Sequence, residues 1–124
     1  MPAHKAKILI VDDETGFTKL MKAALQAYEI CEENNPAIAL ETAKKFRPDL
    51  ILLDVIMPEI DGGDVAARIK ADPMLQHVPI VFLTAIVSNK ETAHQRLFGG
   101  HPFVAKPVTP AKLMECIEEN LAFS

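Results

Sequence analysis

The stretch Lys7-Ile8-Leu9-Ile10-Val11-Asp12-Asp13 decides the fold, because a short apolar run ends abruptly in two carboxylates. A second run, Leu50-Ile51-Leu52-Leu53, ends in the same way at Asp54. Short runs without apolar and polar alternation are typical of strands buried on both faces of a parallel sheet. Such sheets place their ligand sites beyond the carboxyl ends of the strands. We therefore expect Asp12, Asp13 and Asp54 to converge on one crevice.

Three carboxylates at one edge of a sheet would repel each other unless a cation lies between them. An all-oxygen set of ligands suits a hard divalent ion, so Mg²⁺ is the expected cofactor and Mn²⁺ is expected to substitute for it. The competing interpretation is that each aspartate simply caps the helix that follows it. That interpretation accounts for one such residue more easily than for three at two strand ends.

Two further apolar runs carry polar residues at their ends. The run Ile80-Val81-Phe82-Leu83 is followed by Thr84, and Phe103-Val104-Ala105 is followed by Lys106-Pro107. A hydroxyl and an ammonium group are thereby predicted at the same sheet edge. Together with carboxylates and a metal ion they describe a phosphoryl-transfer site, in which positive charge stabilises the oxygens of the transferring group. Asp54 is the candidate nucleophile.

In this order and spacing, the residues resemble the receiver domain of two-component response regulators, of the chemotaxis-protein kind. The resemblance covers essentially all 124 residues, so 1–124 is expected to form a single receiver domain. The matching features are Asp12-Asp13, the stretch Asp54-Val-Ile-Met-Pro-Glu-Ile-Asp-Gly62, Thr84-Ala85, and Phe103 three positions before Lys106-Pro107.

The resemblance implies a role for each acidic position. Asp54 would accept a phosphoryl group from a sensor histidine kinase or a phosphotransfer protein. Mg²⁺ would be held by Asp13, Asp54 and the backbone carbonyl of Ile56, with Asp12 supporting the metal through water. The domain would then be a signalling switch rather than an enzyme, catalysing only its own phosphorylation and dephosphorylation.

The resemblance also implies how the signal is read out. Thr84 and Lys106 would contact the phosphoryl group, Phe103 would rotate inward as the switch aromatic, and the Lys106-Pro107 peptide would be cis. The surface of the fourth helix, fifth strand and fifth helix would change and bind an output protein, a missing carboxyl-terminal effector domain or a second copy of the chain. Basic residues expected on this surface are Lys90, Arg96 and Lys112.

Strand-like and helix-like segments alternate five times, which predicts a three-layer α/β sandwich. The flavodoxin-like strand order 2-1-3-4-5 comes from the resemblance alone. A polar second strand, Glu29 to Glu33, is expected at an edge of the sheet. The apolar positions predicted to face the core are Phe17, Leu20, Met21, Ala24, Leu25 and Tyr28 on the first helix, Ile38, Leu40 and Phe46 on the second, Val65, Ala66 and Ile69 on the third, and Leu113, Ile117 and Leu121 on the fifth. The fourth helix is expected between Ser88-Asn89 and Gly99-Gly100.

Composition excludes several classes of protein. No apolar run approaches the roughly 18 residues of a membrane span and no signal peptide precedes the first strand, so a soluble, cytoplasmic protein is expected. The net charge is −4, with basic residues scattered among acidic ones, which argues against direct binding of nucleic acid. Cys31 and Cys116 lie far apart without a ligand cluster, which argues against a zinc or redox site.

Three alternatives compete with a receiver domain. A haloacid-dehalogenase-type phosphatase needs an acid two residues after its nucleophile, but Ile56 stands there relative to Asp54. A flavodoxin-like cofactor binder needs a phosphate-cradling loop, whereas Asp12-Asp13-Glu14 would repel phosphate. A phosphorylation-independent interaction module with the same fold stays open. The chain is expected to be either a stand-alone receiver or the amino-terminal part of a longer regulator.

Overall fold

The strands form one large parallel sheet and one small hairpin. The structure, a computed structural model, describes residues 5–57, 60–84 and 101–121. In chain order the strands are β1 (Lys7–Val11), β2 (Glu29–Glu33), β3 (Leu50–Asp54), β4 (Ile56–Met57), β5 (Ile60–Asp61), β6 (Ile80–Thr84) and β7 (Phe103–Ala105). The large sheet has the order β2-β1-β3-β6-β7, and every neighbouring pair in it is parallel. This is the order 2-1-3-4-5 of the five predicted strands, so the predicted architecture is confirmed.

The described residues include four α-helices: α1 (Thr15–Ala24), α2 (Ala39–Phe46), α3 (Gly62–Ala71) and α4 (Pro110–Asn120). A 3₁₀ turn, Pro36–Ile38, precedes α2. Thr109 caps α4 by accepting a hydrogen bond from the backbone N–H of Lys112. The helix predicted between Ser88 and Gly100, with Lys90 and Arg96, lies outside the described residues. Helix α4 therefore corresponds to the fifth predicted helix.

The central strands are buried on both faces. Leu9 and Val11 of β1 belong to a core cluster shared with α2 and α3, whereas Ile8 and Ile10 belong to a cluster shared with α1 and α4. All four side chains are completely buried. Because consecutive side chains of a strand point to opposite faces, a strand covered on both sides needs an unbroken apolar run. Each such residue stabilises the fold by about 1.5–3 kcal/mol.

The predicted inner faces of two helices need correction. Leu20 is 57% exposed and Ile38 is 41% exposed, and Ala24 is also exposed. On α1 the buried positions are Thr18 and Met21, because the buried stripe follows the helical repeat and Leu20 lies about 200° around the helix from Thr18. Apolar character alone does not distinguish these faces. Thr18 is polar, yet its hydroxyl is satisfied by a 3.0 Å contact with Glu32.

Helix α2 differs because Ile38 belongs to the preceding 3₁₀ turn rather than to the helix. The helix instead packs on the sheet through Ala39 and Ala43, which are completely buried, while Leu40 and Phe46 are partly buried. The other predicted inner positions are confirmed on α3, and Leu113 and Ile117 are buried on α4.

Both cysteines are unpaired; Cys116 is buried and Cys31 is partly exposed.

Tyr28 links the end of the α1 region to α4. Its hydroxyl donates a 2.6 Å hydrogen bond to Glu118 Oε2. Burial, this hydrogen bond and the negative charge of Glu118 raise the pKa of Tyr28 to about 12. Because the folded pKa exceeds that of the unfolded chain, about 10, the stabilisation is complete below about pH 10 and is lost as the pH rises towards 12.

We expect the free energy of unfolding of the wild type to fall by about 1–2 kcal/mol more than that of Tyr28→Phe between about pH 10 and pH 12. Tyr28 is the single tyrosine of the chain, so phenolate absorbance reports its titration alone. Denaturant unfolding of both proteins across this range measures the difference. A phenolate midpoint in the folded protein near 10, the value of free tyrosine, would contradict this account.

Candidate functional site

Three carboxylates meet at the carboxyl ends of β1 and β3, as the sequence predicts. One ligand oxygen from each of Asp12, Asp13 and Asp54 lies within 4.8 Å of the others. Asp12 is completely buried and Asp54 is 5% exposed, whereas Asp13 is exposed. The group is therefore anchored in the protein and open to solvent on the side of Asp13.

The parallel register brings these residues together. Val11 pairs with Leu53 across β1 and β3, so Asp12 and Asp54, the next residues along the chain, are neighbours. Asp12 is also held by its backbone N–H, which donates to the carbonyl of Glu33 at 3.1 Å. The sheet itself thus brings Asp12 and Asp54 close together, and this proximity does not depend on loop conformation.

The helix-capping interpretation does not fit Asp12, because the N-cap of α1 is Glu14 and no side chain makes a capping hydrogen bond there. Asp12 Oδ1 accepts a 2.9 Å hydrogen bond from the backbone N–H of Glu14, just before α1 begins. Its Oδ2 instead lies 2.6 Å from the ammonium nitrogen of Lys106. Asp12 therefore combines a structural contact with a contact inside the crevice.

Lys106 enters the crevice from the end of β7. Its Nζ lies 2.6 Å from Asp12 Oδ2, 2.8 Å from Glu14 Oε1 and 3.7 Å from Asp54 Oδ2, and the side chain is 13% exposed. Burial lowers the pKa of Lys106, but its hydrogen bonds to Asp12 and Glu14 and the nearby charges outweigh burial, so the net pKa is raised. Lys106 is consequently a firmly charged ammonium group. The Lys106-Pro107 peptide is cis, as the resemblance implied.

Thr84 and Phe103 lie on the neighbouring strands β6 and β7. Thr84 is completely buried at the end of β6, and its carbonyl accepts a 2.7 Å hydrogen bond from the backbone N–H of Lys106. Phe103 pairs with Phe82 in the sheet register and is partly buried against the core cluster of α2 and α3. The structure thus places both residues in the strands that carry the site, with Thr84 at the same edge as Asp54.

The donor set fits a divalent cation. Three carboxylates lie within 4.8 Å of one another. Their combined negative charge is larger than the single positive charge of Lys106, which lies near Asp12 and Asp54. Oxygen ligands with surplus negative charge suit Mg²⁺ or Mn²⁺. The backbone of Ile56 begins β4 two residues after Asp54, the position that the resemblance gives to a carbonyl ligand.

Sequence reasoning missed the contacts that three residues make in the crevice. Asn34 Nδ2 donates to the carbonyl of Asp12 at 2.8 Å and to Thr18 Oγ1 at 2.9 Å, which ties the acidic loop to α1. Glu14 contacts Lys106, and the ring of Phe17 lies 4.6 Å from the Lys106 ammonium nitrogen. The position of Glu14 beside two aspartates was a usable signal. Nothing in the sequence marked Asn34.

Gly62 is a further residue whose role appears only in three dimensions. A Cβ atom at this position would lie 2.4 Å from the carbonyl oxygen of Asp54 and 2.8 Å from the Cα of Val55. The Gly62 N–H also donates to the carbonyl of Val55 at 3.1 Å. The start of α3 therefore packs directly on the backbone that carries Asp54, at a distance that no side chain permits.

Comparison with known proteins agrees with this arrangement. Residues 8–118 match the family model of the response regulator receiver domain, so the chain belongs to that family. Receiver domains as a family are signalling domains rather than classical enzymes, and the domain acts as a phosphorylation-dependent switch. Receiver domains bind Mg²⁺ at an acidic cluster and interact with histidine kinases or phosphotransfer proteins and with effector domains.

Individual relatives share both sequence and fold. The chain is 36% identical over 120 residues to the response regulator PleD of Caulobacter vibrioides, covering 95% of this chain and 26% of PleD. It is 32% identical over 116 residues to the polar-differentiation response regulator DivK of Brucella anthropi, covering 92% of this chain and 94% of DivK. The chemotaxis protein CheY4 of Vibrio cholerae superimposes with a TM-score of 0.82 at 27% identity, covering 93% of this chain and 98% of CheY4. The chain thus spans about a quarter of PleD but nearly all of DivK.

No helix among the described residues has the length and apolar character needed to cross a membrane.

Proposed function

We propose that Asp54 is the phosphoacceptor and that residues 1–124 act as a single receiver domain in the cytoplasm. The donor is a phosphohistidine on a sensor histidine kinase or a phosphotransfer protein. The observation that carries this proposal is the arrangement of Asp12, Asp13 and Asp54 within 4.8 Å, with the Lys106 ammonium 3.7 Å from Asp54. An anionic nucleophile next to a fixed cation is suited to accept a group that is itself anionic.

The transfer replaces one bond to phosphorus by another. A carboxylate oxygen of Asp54 attacks the phosphorus atom, the P–N bond of phosphohistidine breaks, and its electron pair stays on the imidazole nitrogen. Lys106 offers positive charge to the phosphoryl oxygens, while Thr84 offers its hydroxyl as a donor from the end of β6. Lys106 already lies 3.7 Å from Asp54 before the donor arrives, which lowers the cost of reorganisation.

Asp13, Asp54 and the Ile56 carbonyl would hold Mg²⁺, and Asp12 would support it through water; Mn²⁺ would substitute. When bound, the ion supplies charge that neutralises the carboxylates and the oxygens of the phosphoryl group. Asp13 is the exposed member of the three, so it lies on the side from which a hydrated ion would enter. Asp12 is buried and already contacts Lys106, which fits a supporting role better than a direct one.

An aspartyl phosphate brings about 1.5 to 2 negative charges to the crevice. That charge attracts Thr84 and Lys106 and biases Phe103 towards its inward position. The output surface includes β7 and α4 together with the predicted fourth helix, which lies outside the described residues. An output protein, an effector domain or a second copy of the chain would bind this surface. A phosphorylation-independent module is not favoured, because the acidic residues and the lysine are all present and close together.

Phosphorylation by acetyl phosphate tests the proposal. Wild type with Mg²⁺ is expected to gain one phosphoryl group by intact-protein mass spectrometry, and Asp54→Ala is expected to gain none because the nucleophile is missing. Asp49→Asn is the matched control, because Asp49 lies at the amino-terminal end of β3, at the far end of the strand from Asp54. Its side chain accepts a 2.8 Å hydrogen bond from the backbone N–H of Lys7. Continued labelling of Asp54→Ala would place the acceptor elsewhere. Absence of labelling in wild type would restore the phosphorylation-independent module.

A further inference from the structure

The Lys106 side chain is held from the side of α1 as well as from the acidic loop. Its ammonium nitrogen lies 4.6 Å from the centre of the ring of Phe17, which is in the first turn of α1. Asp12 and Glu14 accept hydrogen bonds from the same nitrogen. An ammonium group over an aromatic face is attracted by the ring quadrupole, and the attraction grows as water is excluded. With 13% of its surface exposed, the Lys106 side chain is largely shielded.

We propose that Phe17 is a positioning residue for phosphoryl binding, acting through Lys106. An ammonium group has three N–H donors, and two of them are directed at Asp12 and Glu14. With the ring covering another side, the four-carbon chain of Lys106 has few alternative rotamers, and the remaining donor is left for the oxygens at Asp54. Phe17 thereby reduces the conformational entropy that Lys106 loses when it binds a phosphoryl group. This inference rests on the proposed contact between Lys106 and the phosphoryl group.

A purely structural role for Phe17 makes a different prediction. The ring also packs against the core cluster shared by α1 and α4, and leucine would preserve much of that apolar contact. The chain offers an internal comparison at the opposite edge of the sheet, where Lys7 Nζ lies 5.2 Å from the centre of the Phe46 ring. Phe46 likewise packs against a core cluster. Phe46→Leu therefore matches Phe17→Leu in chemistry and differs in its distance from Asp54.

The experiment measures binding of beryllofluoride, an analogue of the phosphoryl group, at saturating Mg²⁺ by ¹⁹F NMR. We expect Phe17→Leu to weaken binding about three- to tenfold, the size of a partly desolvated cation–π contact. Phe17→Tyr should restore the affinity, because tyrosine keeps the ring, and Phe46→Leu should leave it unchanged. In a Lys106→Met background, Phe17→Leu should have no further effect, because the group on which it acts is gone. Urea unfolding of each variant reports stability separately.

The outcomes distinguish the proposed role of Lys106 from the inferred role of Phe17. If Lys106→Met binds beryllofluoride as tightly as wild type, the proposed role of Lys106 is wrong and the role of Phe17 falls with it. If Lys106→Met weakens binding but Phe17→Leu does not, Lys106 keeps its role and the inference about Phe17 is overturned. The inference is equally overturned if Phe17→Leu weakens binding as much in the Lys106→Met background as in wild type, or if Phe46→Leu has the same effect.

Discussion

Gly62→Ala is expected to destabilise the domain by about 2–3 kcal/mol or more, although it adds only one methyl group. The new Cβ would lie 2.4 Å from the Asp54 carbonyl oxygen and 2.8 Å from the Val55 Cα. Both neighbours are backbone atoms, so relief requires a shift of α3 relative to β3. That shift would disturb the residue that we propose as phosphoacceptor. Phosphorylation by acetyl phosphate should therefore slow in the same variant.

Gly63→Ala is the matched control, because the adjacent residue has a different environment. The nearest atom to a Cβ there is Asp61 Oδ1, at 3.2 Å, which belongs to a side chain rather than to the backbone. Alanine is also a better helix former than glycine, which offsets a small displacement of Asp61. Urea unfolding of the three proteins measures the effect. Equal stabilities of Gly62→Ala and Gly63→Ala would show that the close approach to Asp54 is not a constraint.

Asp13→Asn is expected to weaken Mg²⁺ binding at least about tenfold, equivalent to about 1.4 kcal/mol. The substitution removes one of the three carboxylates that lie within 4.8 Å, and a neutral amide is a poorer ligand for a hard cation. The same change removes repulsion among like charges. Without metal, the variant should therefore be more stable than wild type, by about 0.5–1 kcal/mol.

Calorimetric titration with Mg²⁺ measures the affinity, and thermal unfolding with and without Mg²⁺ measures the linked stability. Asp49→Asn serves again as control, because it removes one negative charge at the other edge of the sheet. An affinity of Asp13→Asn equal to that of wild type would remove Asp13 from the metal site. A comparable loss in Asp49→Asn would mean that net charge rather than coordination determines binding.

The sequence was sufficient to predict the sheet and the acidic crevice. Unbroken apolar runs such as Ile8 to Val11 identify strands covered on both faces, and parallel strands present their carboxyl ends at one edge. The approach of Asp12 to Asp54 follows from those two rules. The strand order could not be predicted in this way, because periodicity carries no information on which strands are neighbours; it came from the family resemblance.

Other features depend on tertiary contacts that a single sequence does not encode locally. The exposure of Leu20 and the burial of Thr18 reflect which face of α1 meets the sheet. The contact of Asn34 with the Asp12 carbonyl joins residues that are 22 positions apart. The hairpin of β4 and β5 is too short to carry a periodic signal. Such contacts become visible only when the backbone path is known.

The most direct test of the central claim locates the phosphoryl group itself. After treatment with acetyl phosphate and Mg²⁺, borohydride reduces an aspartyl phosphate to homoserine, which tandem mass spectrometry of peptides can identify. We expect residue 54 alone to be converted, and conversion to depend on both acetyl phosphate and Mg²⁺. Homoserine at position 12 or 13, or unmodified Asp54 in protein that carries phosphate, would contradict the assignment.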